Sequence, residues 1–335
     1  MQRQLKDYFI ISLKGLAMGA ADAVPGVSGG TIAFISGIYE ELIATISNIN
    51  KSLFQTLFKN GFSAFWTQLN GNFLLALLTG IIISFVSFMR LAKYLLEHQP
   101  VLIWSFFFGL IIASIYFVGK QIQKWNLATI VSLILGAVIA FYITTLPSLN
   151  GSNSTWFLFF AGALAICAMI LPGISGSFIL VILGAYKTLS DALHDFDFKK
   201  IVLFASGALI GLLSFSHLLK WLFKNYHNTT LALLTGFIFG SLNKVWPWKL
   251  TQTVLEKDSG RVLPFSDVSD LGTLSIFEKK QNLSEVYKVV SESSSWPTTY
   301  ADLNYVNAQI LPAIVLMVIG FLTIFILEKL GNQDS

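Results

Sequence analysis

The chain has 335 residues, 54% of them hydrophobic and only 12% charged, with a formal net charge of +4. Soluble domains carry roughly 25% charged residues, so this composition excludes an ordinary soluble core. No basic stripe interleaved with aromatics accompanies the small positive charge, which argues against a nucleic-acid partner.

In chain order, MQRQLKDYF carries charge, but no small-residue cleavage site follows its apolar stretch, and no removable signal peptide is expected. A broken helical hairpin is predicted over roughly 8–47, then apolar spans at 72–96, 101–119 and 126–147. A second broken hairpin at 155–190 precedes spans at 200–223, 229–246 and 309–330. From Trp125 to Tyr186, 62 consecutive residues include no Asp, Glu, Lys or Arg. About 20 apolar residues cross a bilayer, so the expected fold is an all-α polytopic membrane protein. The polar segment Thr251–Asp302 interrupts its second half. Within it Ile276–Glu292 reads as a short amphipathic helix, with Ile276, Phe277, Leu283, Val286, Tyr287 and Val290 on one side. The segment is expected outside the membrane as a lid or as a poorly ordered insertion.

A glycine–serine motif occurs twice. Pro25-Gly26-Val27-Ser28-Gly29-Gly30 is echoed by Pro172-Gly173-Ile174-Ser175-Gly176-Ser177. The same offset of 147 carries Gly37 onto Gly184, Tyr39 onto Tyr186 and Leu42 onto Leu189. Further on, an offset of 127 aligns Leu77–Leu96 with Phe204–Phe223, matching Gly80 to Gly207 and Lys93 to Lys220. It also carries Gly109 onto Gly236, and a weaker match pairs Gly136 with Gly320. The change of offset places a longer connection in the first half, around residues 45–70. Two membrane repeats follow, 1–150 and 151–335. A hairpin returns to its starting side and three spans then cross, so the second repeat should be inverted with respect to the first. With the N-terminus in the cytoplasm, 10 basic residues face inward against 7 outward, a modest lean by the positive-inside rule.

Proline, clustered glycines and hydroxyls break helices, and such breaks at membrane depth leave backbone groups that protein, water or ligand must satisfy. Matching breaks in two halves point to a transport site. Successive small residues let neighbouring N–H groups converge into an anion-binding nest, and Ser28, Thr31, Ser175 and Ser177 add hydroxyls. Phosphate or carboxylate fits such a cradle; close helix packing is the plainer use of the same glycines. Asp22, the one acid within the first hairpin, either takes up a proton or sodium ion or caps the following turn; Met169 stands at its equivalent. Arg90 could bind phosphate through a bidentate contact or snorkel to the interface with Lys93. Lys14, Lys187 and Lys220 are read as interfacial anchors, Glu40 and Glu41 as a solvated face, and His217 as a polar cap. Cys167 is the single cysteine, and His98, His194, His217 and His227 lack ligand spacing, so no metal or cofactor is expected.

The stretch from Gly19 to Leu42, centred on Pro25-Gly26-Val27-Ser28-Gly29-Gly30, closely resembles a signature of a bacterial membrane family associated with polyprenyl-phosphate transport. Leu171–Tyr186 resembles that family's second signature, and the likeness covers nearly all of the chain outside Thr251–Asp302. It implies a non-enzymatic carrier in the cytoplasmic membrane that returns undecaprenyl phosphate to the inner leaflet. The architecture also looks like that of DedA-type transporters, with opposed re-entrant hairpins. On this reading the substrate site comprises Pro25, Gly26, Ser28, Gly29, Gly30, Thr31, Pro172, Gly173, Ser175, Gly176, Ser177 and Arg90, with Asp22 coupling transport to an ion. Two rivals remain. A polyprenyl-pyrophosphate phosphatase has an arginine where Gly176 stands, and needs more acids than Asp22, Glu40 and Glu41 supply. A carrier of a small soluble anion would use the same cradle.

Overall fold

A computed structural model of the chain describes residues 3–22, 28–146, 155–256, 259, 261–268, 286–304 and 306–331. The first half runs through α1 (Leu5–Asp22), the short α2 (Gly29–Ile35), α3 (Tyr39–Ser47), α4 (Lys51–Gln68), α5 (Gly71–His98), α6 (Pro100–Lys120) and α7 (Leu127–Thr145). The second comprises α8 (Thr155–Ile170), the short α9 (Gly176–Ile182), α10 (Tyr186–His194) and the long α11 (Phe198–Val245). After a small sheet come α12 (Pro297–Asn304) and α13 (Ile310–Gly331). The chain is mostly helical. Among the described residues α6, α7 and α11 are each long and apolar enough to cross a membrane, and α4 with residues 71–84 makes a fourth candidate, bent by 53°.

Local chemistry sets the element boundaries. Asn126 and Thr129 close a capping box at the start of α7. Pro100 opens α6, where a missing N–H costs nothing. Gly37 and Gly184 follow the two short helices with φ of 73° and 71°, a left-handed turn that glycine adopts without strain.

Positions related by the sequence offsets make equivalent contacts. A Cβ at Gly15 would meet the Leu77 carbonyl, and one at Gly162 the Phe204 carbonyl, which lie 127 apart. Gly80 abuts the Ser12 carbonyl and Gly207 that of Phe159, which lie 147 apart. Gly109 in α6 abuts Met317 in α13, and Gly236 in α11 abuts Leu133 in α7. Gly136 and Gly320 meet Leu233 and Phe106 in turn. The bend between α5 and α6 at Gln99 (φ −136°, ψ 51°) is matched 127 residues later at Tyr226 (φ −136°, ψ 46°) inside α11. The two spans expected at 200–223 and 229–246 are the two helical stretches of α11 that meet at this non-helical residue.

Buried Tyr39, Phe73, Ile111, Leu234 and Ile238 centre the core where α2 and α3 pack among α5, α6 and α11. Much of α7, by contrast, presents Ile134, Val138 and Phe141 outward, as expected of a surface facing lipid.

The polar segment corrects one expectation. β1 (Lys249–Glu256) pairs antiparallel with β2 (Val262–Pro264) and with β3 (Tyr287–Ser294), in the order β2-β1-β3. The C-terminal part of the expected Ile276–Glu292 helix is thus a strand, while 276–285 lies outside the described residues. Residues assigned to one helical face are split between surfaces: Val290 is buried, whereas Val286 is exposed. Adjacent β-branched valines suit the pleat, and β1 supplies the partner that sequence periodicity does not reveal. The sheet is pinned to the helices. Trp248 Nε1 donates to the Ala308 carbonyl at 2.8 Å, Trp246 Nε1 to that of Ser295, and buried Lys249 sits 4.0 Å over the Trp104 ring beside Glu292.

Candidate functional site

The two glycine–serine breaks meet. In the first half α1 ends at Asp22, and after residues 23–27 the chain resumes as α2. Pro25 and Gly26 lie outside the described residues. Ser28 caps α2, accepting from the Gly30 N–H at 3.1 Å, and its hydroxyl donates to the Met169 carbonyl at 3.2 Å. Thr31, fully buried, accepts from the Gly173 N–H at 2.9 Å. Tyr39 donates its phenol proton to the Ile170 carbonyl at 3.2 Å. Three side chains of the first half thus occupy backbone groups that the second break sets free, as the loss of helical partners around Leu171–Ser175 requires.

Glycine is needed for this approach. A Cβ at Gly30 would stand 2.6 Å from the Ile170 carbonyl oxygen, and one at Gly173 (φ 84°) 2.9 Å from both the Phe237 carbonyl and the Ser241 hydroxyl. On the face of α11 opposite Ser241, an apolar groove of about 450 Å³ runs against α7, lined by Val138, Phe141, Phe239, Gly240, Leu242 and Asn243.

Asp22 accepts from the Gly29 N–H at 2.6 Å and is half-buried. It satisfies one of the free donors at the start of α2, which a carboxylate does well because the peptide dipoles there point their positive ends at it. Met169 packs at the same place beside Gly176 in the second half, so the arrangement is apolar there. Buried Pro172 precedes the turn. The second pair of hydroxyls differs from the first: Ser175 and Ser177 bond each other at 3.0 Å, Ser175 half-buried and Ser177 exposed. Arg90 lies in α5, and its side chain is outside the described positions.

Both acids read as a solvated face, and two of the lysines read as interfacial anchors, are partnered. Glu41 takes both guanidinium nitrogens of Arg3, at 2.6 and 2.7 Å, and the Asn70 amide at 2.8 Å. Glu40 lies 3.1 Å from His227 Nε2, Lys14 donates to the Ser36 carbonyl at 2.9 Å, and Lys220 donates to Asn48 at 3.0 Å. His217 bonds the Leu213 carbonyl within its own helix. Sequence reasoning missed Tyr39 as a bridging group. The signal available was its recurrence as Tyr186 at the motif offset.

Because Gly173 N–H is buried, Thr31→Val leaves a donor unpaired, which costs about 1–3 kcal/mol. We expect Thr31→Val to lower the thermal midpoint of the purified protein, and Thr31→Ser, which keeps the acceptor, to restore most of it.

Comparison with known proteins fits this geometry. A family model described as undecaprenyl phosphate translocase-like (VCA0040-like) matches residues 18–263, a span holding both breaks. The chain is 42% identical over 264 residues to a polyprenyl-phosphate transporter of Vibrio cholerae serotype O1, covering 79% of this chain and 86% of that protein. It is 34% identical over 261 residues to a polyprenyl-phosphate transporter of Staphylococcus aureus, covering 72% and 88%. No solved structure matches it. With the family model spanning most of its length and two relatives aligned across both halves, the chain belongs to the undecaprenyl phosphate translocase-like family.

Proposed function

We propose that the chain is a transporter of polyprenyl phosphate in the bacterial cytoplasmic membrane, returning undecaprenyl phosphate to the inner leaflet for reuse in peptidoglycan and surface-glycan synthesis. The observation that carries the reading is the junction of the two breaks through Thr31 and Gly173. Each half is read as a re-entrant hairpin with three spans, the two halves inverted relative to each other. The recurrence of glycine contacts and bends at the sequence offsets supports this.

A phosphate in hydrocarbon is costly unless hydrogen-bonded, while a prenyl tail can remain in lipid. The proposed cradle is formed by the backbone and hydroxyls of Ser28, Gly29, Gly30 and Thr31 with those of Gly173, Ser175, Gly176 and Ser177, with Pro25, Gly26 and Pro172 shaping the turns and Arg90 as a charge partner. Asp22 is the proposed coupling group. Its carboxylate already holds the Gly29 N–H, so an arriving phosphate competes with it for that donor. A proton or sodium ion neutralising Asp22 releases the donor and offsets the phosphate charge in one step.

A phosphatase reading fares worse, since Gly176 stands where such enzymes place an arginine. A small soluble anion would use the same cradle; the names of the two relatives favour a polyprenyl phosphate. Purified protein in liposomes should move labelled undecaprenyl phosphate between leaflets faster than empty liposomes do. Absence of movement under both proton and sodium gradients sinks the proposal, and movement of a soluble anion instead would favour the rival carrier.

A further inference from the structure

The offset between the halves falls from 147 at Leu42 to 127 at Leu77, so the first half contains 20 extra residues between these points. α4 is 18 residues long and occupies that interval. It is therefore an added element with no counterpart in the second half. It carries two basic residues, Lys51 and Lys59, and no acid.

On a helix of 3.6 residues per turn, Leu53, Leu57, Phe54 and Phe58 fill one arc, and Lys51, Ser52, Gln55, Thr56, Lys59 and Asn60 fill the other. The apolar arc has two shoulders. Leu53 is 1% exposed and rests on the protein, whereas Phe54 and Phe58 are 50% and 85% exposed. Beyond Gly61, whose φ of 82° breaks the helix, Phe62 is also exposed and its ring lies tilted against Trp66, centroids 5.6 Å apart. Both ends are held. Asn50 caps the first turn, Asn48 just before it bonds Lys220 of α11, and Asn70 just after it bonds Glu41. The outward face is thus set by the fold.

We propose that α4 lies flat in the headgroup layer, its phenylalanines in the shallow acyl region and its lysines on anionic phospholipid headgroups. A polar arc of this width cannot cross hydrocarbon. An amphipathic helix with basic residues beside its aromatic edge is instead built for the interface, and juxtamembrane lysines are attracted to anionic leaflets. The 53° bend to residues 71–84 is then the turn from the membrane plane into α5. This assignment is independent of what the chain transports.

The test uses full-length protein carrying Cys167→Ala in vesicles of phosphatidylcholine with a minority of phosphatidylglycerol. An environment-sensitive fluorophore is attached at Phe58→Cys or, separately, at Gln55→Cys, with Phe54→Cys replacing Phe58→Cys should the latter not fold. We expect the probe at 58 to be quenched by a nitroxide on a shallow acyl carbon and shielded from aqueous iodide, and the probe at 55 to behave oppositely. Adding Lys51→Gln and Lys59→Gln should increase iodide quenching at 58. Equal iodide quenching at both positions places α4 in water. Strongest quenching at both by a nitroxide at the bilayer centre makes it part of a span. No response to loss of the lysines removes anionic lipid as the partner. Each of these three results overturns the proposal.

Discussion

Asp22→Asn is expected to abolish the response of polyprenyl-phosphate transport to proton and sodium gradients while leaving the fold intact. Asparagine is nearly isosteric, and its carbonyl oxygen can accept the Gly29 N–H that Asp22 Oδ1 accepts at 2.6 Å. What disappears is the charge and the capacity to titrate. A charged acceptor contributes about 1.5–3 kcal/mol against about 0.5–1.5 for a neutral one, so stability should fall by only about 1 kcal/mol. Transport by reconstituted protein, followed across a pH series with and without sodium, separates the two uses of this residue. A variant that keeps wild-type pH and sodium dependence makes Asp22 a cap and nothing more. Asp22→Ala, which removes the acceptor as well, should lose both transport and stability.

Gly109→Ala and Gly236→Ala should each destabilise the protein severely, and by similar amounts. The added methyl group would meet the Met317 carbonyl in one case and the Leu133 carbonyl in the other. Both obstacles are backbone, which yields far less than the end of a side chain, so the cost lies at or above the usual 1–3 kcal/mol of overpacking. That outweighs the gain of about 1 kcal/mol in helix propensity on replacing glycine by alanine. Gly119 in the same helix as Gly109 is the control, because a Cβ there would find only a Thr235 methyl at 3.9 Å. Thermal unfolding in detergent should rank Gly119→Ala at or above wild type and the other two well below it. Tolerance of alanine at Gly109 or Gly236 would show that the paired helices can part.

The apolar helices were legible because composition alone marks them, and the bounds of α5, α6, α7 and α13 lie within a few residues of the apolar runs expected. The glycine offsets were legible too, since small residues at close contacts leave a sparse pattern that survives divergence of the surrounding apolar residues. Hydrogen-bond partners were not. Thr31 binds a backbone N–H 142 residues away, and nothing about a threonine announces which distant peptide it will satisfy. β3 was misread because a short run with valines at adjacent positions fits a helical face as readily as a strand until its partner is known.

The glycine contacts also set an order of events during synthesis. Gly109 waits for Met317, and the intervening 208 residues take about 10–40 s to emerge at the roughly 5–20 residues per second of translation. During that interval α6 is in the membrane with its small-residue face uncovered, available to any neighbouring helix. α13 is the helix that covers it, so α6 acquires this packing only once α13 has been made.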